Sequence, residues 1–170
     1  MVITPKLIIG LGNPDKEYQN TYHNVGFLFI DYLAEAEIDT SGVLAIKSEV
    51  YMNLSGNFVL TALKKHNAEP DELLLVHDDS DLEIGKYKLS FSRGAAGHHG
   101  VESVIKSLRT KNFWRLRIGI RPKTDQRSQQ TVRNNLRLKA EKFVLKKISK
   151  TNLEILETAF SKIISELRLS

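Results

Sequence analysis

A three-layer α/β fold, a twisted mixed β-sheet flanked by helices, is what this sequence predicts, and three observations carry that prediction. Short apolar runs of strand length alternate along the chain with segments of helical periodicity. The chain has 170 residues, enough for one domain with a sizeable core. Its 41% hydrophobic and 26% charged residues are those of a globular protein.

The elements follow in order. "KLIIG" (6–10) is a buried strand ending at the turn "GLGNP". From Asn24 to about Ala36 the apolar residues recur at helical spacing, with Asn24 as N-cap. "VLAIK" (43–47) is a strand, and Ser55 caps a helix running to about His66. "ELLLVHDD" (72–79) is a buried strand ending in carboxylates, and "GKYKLSF" (85–91) alternates beside it. "GVESVIKSL" (100–108) is helical, and "WRLRIGI" (114–120) is a strand with two outward arginines. Residues 121–140 form a polar, basic excursion. "AEKFVLKKI" (140–148) is an extended apolar segment or helix, and an amphipathic helix over 150–168 closes a single domain spanning 1–170.

Composition removes several functions. There is no cysteine, which eliminates disulfides, thiol nucleophiles and thiolate zinc sites together. The apolar runs are too short and too interrupted by charge to span a bilayer. "MVITPKLIIGLG" lacks a basic region followed by a long apolar stretch, so no signal peptide is expected and the location is read as cytoplasmic. Net charge is +5, but unevenly spread. Residues 1–85 hold 14 acids and 5 Lys/Arg, whereas residues 86–150 hold 18 Lys/Arg against Glu102, Asp125 and Glu141. One face for a polyanion, or a solubilising surface, accounts for this.

"GLGNPD" after a strand invites a dinucleotide-binding reading, which fails: the third glycine is missing, Pro14 occupies the helix entry, and the next strand lacks a terminal acid. The turn instead presents Asn13. His23 is either a helix-entry residue or a base. Asp78, at the end of a strand, would hold one imidazole nitrogen and leave the other to take a proton from water. His77 points to the opposite face of its strand. Asp79 and Asp81 read as turn residues, and His66 is explained by its helix dipole. "GHHG" (97–100) reads as a helix cap with one outward ring. No G-x-S-x-G elbow supports a serine nucleophile. No zinc-protease or EF-hand spacing supports a metal, so neither metal nor cofactor is expected.

Four blocks, in order, resemble the signatures of the bacterial-type peptidyl-tRNA hydrolase family: "LIIGLGNPDKEYQNTYHNVGF", "YMNLSG", "VHDDSDLEIGKYKL", and "GHHG" followed by "NFWRLRIGI". The resemblance covers most of the chain to about Ile120. It implies cleavage of the ester between a peptide and the 3′ ribose of tRNA in translation, without metal or covalent nucleophile. No strong self-association motif appears, so a monomer is the default expectation. His23 would be the base and Asp78 its orienting partner. Asn13 and Asn53 would fix the peptide and the attacking water or the oxyanion. Tyr18 and Met52 would line the peptide groove, and Arg117 matches an arginine associated with the tRNA 5′ phosphate.

The chain also departs from the family pattern. His99 stands where asparagine is usual. Ser90 stands where a phosphate-clamping lysine is frequent, with Lys88 or Arg93 as substitutes. Tyr22 replaces a common arginine beside His23. The stretch 35–51 is short, and 121–140 is long. The His23–Asp78 pair favours an enzyme, whereas His99 and the altered loop "SRGAAG" favour a relative that binds RNA with little turnover.

Overall fold

The computed structural model describes residues 3–36, 42–123 and 142–167. Five strands form one sheet among them: β1 (Leu7–Gly10), β2 (Leu44–Lys47), β3 (Leu73–Glu83), β4 (Tyr87–Phe91) and β5 (Trp114–Arg121). Their order is β2-β1-β3-β5-β4. All neighbours are parallel except β4, which pairs antiparallel with β5 at the edge. The sheet is therefore mixed, as the sequence predicts.

Alternation along the central strands sorts their side chains to two helical layers. Ile8, Leu74, Val76, Leu116 and Ile118 pack with Phe29 and Leu33 of α1 (Val25–Glu35) and Phe160 of α4 (Lys150–Glu166). Leu7, Ile9, Leu73 and Leu75 pack on the other face with Val59 and Leu63 of α2 (Ser55–Lys65) and Val101 and Val104 of α3 (His99–Leu108). A strand covered on both faces reads as a continuous apolar run, and Leu73–Val76 is such a run.

Two sequence expectations about caps are corrected. Asn24 precedes α1, but its side chain makes no cap bond. Its Oδ1 accepts from the Asn13 backbone N–H at 2.9 Å and its Nδ2 donates to the Asn13 carbonyl at 2.9 Å. Ser55 is the first residue of α2 rather than its cap, and its buried Oγ lies 4.0 Å from Met52 Sδ. In both cases a tertiary contact takes the side chain away from the local role its type favours.

The first turn of α1 sits directly on the sheet. A Cβ at Gly26 would lie 2.5 Å from the carbonyl oxygens of both Leu11 and Val76. Only glycine permits that approach, and it brings His23 to the carboxyl end of β3. The expected excursion falls mostly on residues 124–141, outside the described residues. The closing helix ends at Glu166 rather than 168, and Tyr87 Oη donates to Glu166 Oε2 at 2.6 Å, holding it to β4. No helix among the described residues is long and apolar enough to cross a membrane.

Candidate active site

Open α/β sheets bind ligands beyond the carboxyl ends of their strands, where neighbouring connections leave in opposite directions. Here that point lies between β1 and β3. A cleft of about 360 Å³ opens beside it, within the size range of small-molecule sites. His23, Asp78 and His98 line it together.

Asp78 is 3% exposed, and its Oδ1 lies 2.8 Å from His23 Nδ1 and 2.9 Å from His98 Nε2. Burial pushes the Asp78 pKa up. The two imidazoles and their hydrogen bonds outweigh it and hold the carboxyl well below the usual carboxylate range. An ionised carboxylate only accepts, so both rings donate to it. His98 Nδ1 in turn accepts the Val101 backbone N–H at 3.3 Å, capping α3. The proton of His98 is thereby fixed on Nε2. His23 donates through Nδ1–H, which leaves Nε2 as its basic nitrogen. Burial pushes the His23 pKa down, but the charge and hydrogen bond of Asp78 raise it, and the net shift is upward.

The donor atoms of His23, Asp78 and His98 all lie within 4.8 Å of one another, a spacing that would also suit a cation. The hydrogen bonds argue against one. A metal needs a lone pair on His98 Nε2, but the Val101 contact puts a proton there. The set is built to hold protons.

The sequence reading missed His98. Of the two adjacent histidines it singled out His99, whose ring is 65% exposed at the rim of the cleft, with Nδ1 3.7 Å from Glu102 Oε2. The cap-and-outward-ring reading of "GHHG" held the signal: the capping ring is the one turned inward. His77 lines the same cleft as Asp78, so the strand alternation expected to separate the two does not take it out of the site. Its Nδ1–H donates to the Asp78 carbonyl at 2.7 Å, and its ring meets that of His98 edge-on at 4.7 Å. Burial, then the charges of His98 and Arg115, depress its pKa well below 6.5, so it stays neutral.

The far wall is cationic. Arg117 Nε donates to Asp79 Oδ2 at 2.5 Å, and Asp79 Oδ1 accepts the Asp81 N–H at 2.8 Å. Both acids lie within β3, which corrects the expectation of turn residues. The expectation of two outward arginines is corrected for Arg115, which is 2% exposed. Its Nη2 donates to the Gly94 carbonyl at 3.0 Å, because the 92–97 loop folds over that strand position. Burial and then the Arg117 charge lower its pKa to about 10.

The remaining candidates lie outside this cleft. Asn13 is buried, and its Oδ1 accepts the Met52 N–H at 2.8 Å, so its Nδ2 is the group left for a ligand. Met52 is buried against α3. Asn53 is exposed, and its carbonyl accepts from Ser103 Oγ at 2.8 Å. Tyr18 is half-buried, and Lys88 and Arg93 are exposed. The Asn13–Asn24 clasp is the link from this group to His23.

Fold and site together define a class: α/β proteins with a histidine–aspartate–histidine cluster over the carboxyl ends of parallel strands. Within it, the family model described as peptidyl-tRNA hydrolase matches residues 7–170. The chain belongs to the peptidyl-tRNA hydrolase family. It is 39% identical over 160 residues to a peptidyl-tRNA hydrolase of Sulfurihydrogenibium sp., covering 84% of each chain. It is 43% identical over 136 residues to that of Aquifex aeolicus, covering 69% of this chain and 71% of that one. The crystal structure of peptidyl-tRNA hydrolase from Acinetobacter baumannii superposes with a TM-score of 0.80 at 27% identity, covering 99% of this chain and 89% of that one.

Proposed function

We propose that this protein hydrolyses the ester joining a peptide to the 3′ ribose of tRNA, with His23 as general base. The observation that carries the proposal is the His23 imidazole, donating through Nδ1 to a buried, ionised Asp78 and keeping Nε2 for a proton. Water attacks the ester carbonyl as Nε2 takes its proton, and a tetrahedral oxyanion forms. The carbon–oxygen bond to the ribose then breaks, and the imidazolium returns the proton to the leaving 3′ oxygen. A base of this kind contributes about 10² to 10⁴ in rate. Asp78 stabilises the imidazolium formed in the first step.

The carboxamides of Asn13 and Asn53 are the donors we assign to the oxyanion and the peptide backbone, at about 3 kcal/mol for one such donor. Tyr18 and Met52 are assigned to the peptide side, and His99 to the rim. Arg117, with Lys88 and Arg93, is assigned to tRNA phosphate. The basic stretch 86–150 favours a polyanion, and the enzyme is taken to act as a cytoplasmic monomer in which the whole chain is one functional unit.

The direct test is release of labelled N-acetyl-aminoacyl groups from tRNA by the purified protein, with and without chelator. Turnover that survives chelation is expected; an inert protein would leave only RNA binding. Arg117→Ala is expected to weaken tRNA binding and to lower the slope of log K against log salt by about 1. The weakening includes a second effect, because Asp79 then faces the phosphate without its guanidinium. An unchanged salt slope in a filter-binding titration would place the phosphate contact elsewhere.

A further inference from the structure

One wall of the cleft comes from a segment outside the strands and helices named above, packed against the core on the α1–α4 side. Val144 and Leu145 line the cleft, and Leu145 is 48% exposed. Residues 143–148 run beside residues 20–23 as a short clasp. The Ile148 N–H donates to the Asn20 carbonyl at 2.8 Å, Thr21 bridges to Lys147, and the Tyr22 N–H donates to the Lys146 carbonyl at 3.2 Å. The His23 N–H donates to the Val144 carbonyl at 2.8 Å. Lys147 Nζ adds bonds to the carbonyls of Glu17 and Gln19 at 2.8 and 2.6 Å.

The side chain of Tyr22 fastens this clasp to the rest of the molecule. It is 5% exposed, and its ring stacks on Phe143 at 4.6 Å and 22°. Its hydroxyl accepts from Asn152 Nδ2, in the first turn of α4, at 2.6 Å. One side chain thus joins the residue before the base, the cleft wall and the closing helix.

We infer that Tyr22 is a positioning residue that holds the Val144–Leu145 wall against the substrate, and so governs how tightly substrate binds rather than how fast His23 works. This rests on the hydrolase reading. The division of labour follows from the contacts. The His23 ring is oriented by Asp78 and its backbone neighbour by the Asn13–Asn24 clasp, neither of which involves Tyr22, and the 143–148 segment reaches His23 through its backbone N–H, not through the ring. The wall is apolar and touches substrate in ground and transition states alike, and interactions of that kind are expressed in KM.

The test compares kcat and KM on N-acetyl-aminoacyl-tRNA for Tyr22→Phe, Tyr22→Leu, Phe143→Leu and the Leu double variant, with backbone hydrogen exchange at Tyr22, His23 and Ile148. An aromatic stacked pair accounts for a change of about 3- to 10-fold. Each Leu variant is expected to raise KM by about that factor, with kcat within about twofold. The double variant should be no worse than either single one, because both remove the same stack. Tyr22→Phe keeps the stack and should stay close to wild type in KM. Exchange at the three amides should accelerate in the Leu variants. An unchanged KM, an additive double variant, or a loss confined to kcat overturns the assignment. Should Tyr22→Leu fail to fold, Phe143→Leu and Tyr22→Phe decide it on the same readings. A wild-type protein without turnover would sink the hydrolase reading alone; the exchange rates would still judge the clasp.

Discussion

His23→Ala is expected to slow hydrolysis of N-acetyl-aminoacyl-tRNA by about 10²- to 10⁴-fold while leaving tRNA affinity within about twofold. The two readings separate because the His23 side chain makes one hydrogen bond among the described residues, with Asp78, whereas Arg115 and Arg117, on β5, carry the cationic wall. The alanine leaves room for water in the cleft but nothing basic to take its proton. Asp78 keeps one donor, His98 Nε2–H, so the buried carboxylate is not stranded and the fold should hold. Single-turnover rates with saturating protein, beside filter binding of the same tRNA, give both numbers. A variant that turns over at the wild-type rate would remove His23 from the chemistry.

The second large effect is that of Asp78→Asn, expected to cost at least about 10²-fold in kcat with little change in affinity. Asparagine is nearly isosteric, and its carbonyl oxygen still accepts a hydrogen bond. It loses the charge that favours the Nδ1–H form of His23 and the imidazolium that forms when water gives up its proton. Because Asp78 also receives His98, the variant weakens two orientations at once. His98→Ala breaks only the second, so it should cost less than Asp78→Asn; a larger loss would make His98 the principal group.

Much of this was legible in the amino-acid order. The apolar runs at Leu7–Gly10 and Leu73–Val76 mark buried parallel strands because both faces are covered, and the carboxylates that follow mark the end where a site belongs. His23 and Asp78 could be paired in advance, since a base needs an orienting acid and the two motifs flank neighbouring strands. What failed depended on three-dimensional neighbours. Asn24 and Ser55 have the side chains of helix caps, but contacts with Asn13 and Met52 claim them first. Arg115 shares a strand face with Arg117 and is basic, yet the 92–97 loop covers it. His98 and His99 differ by one position, and only the extended backbone of the N-cap, with φ −79° and ψ 110°, turns the first ring toward Asp78. Local sequence carries no information about which of two adjacent rings will lie under a strand 20 residues away.

The measurement that bears most directly on the account is the pH dependence of kcat/KM for wild type and Asp78→Asn. The base must be neutral to work, so the rate falls on the acid side as His23 gains a proton. In the wild type Asp78 outweighs burial and raises the His23 pKa, so the acid limb should bend above pH 6.5. In Asp78→Asn the charge is gone and a neutral hydrogen bond alone opposes burial, so the limb should move to lower pH. Limbs that coincide, or a wild-type profile that is flat across this range, would contradict a base held by Asp78.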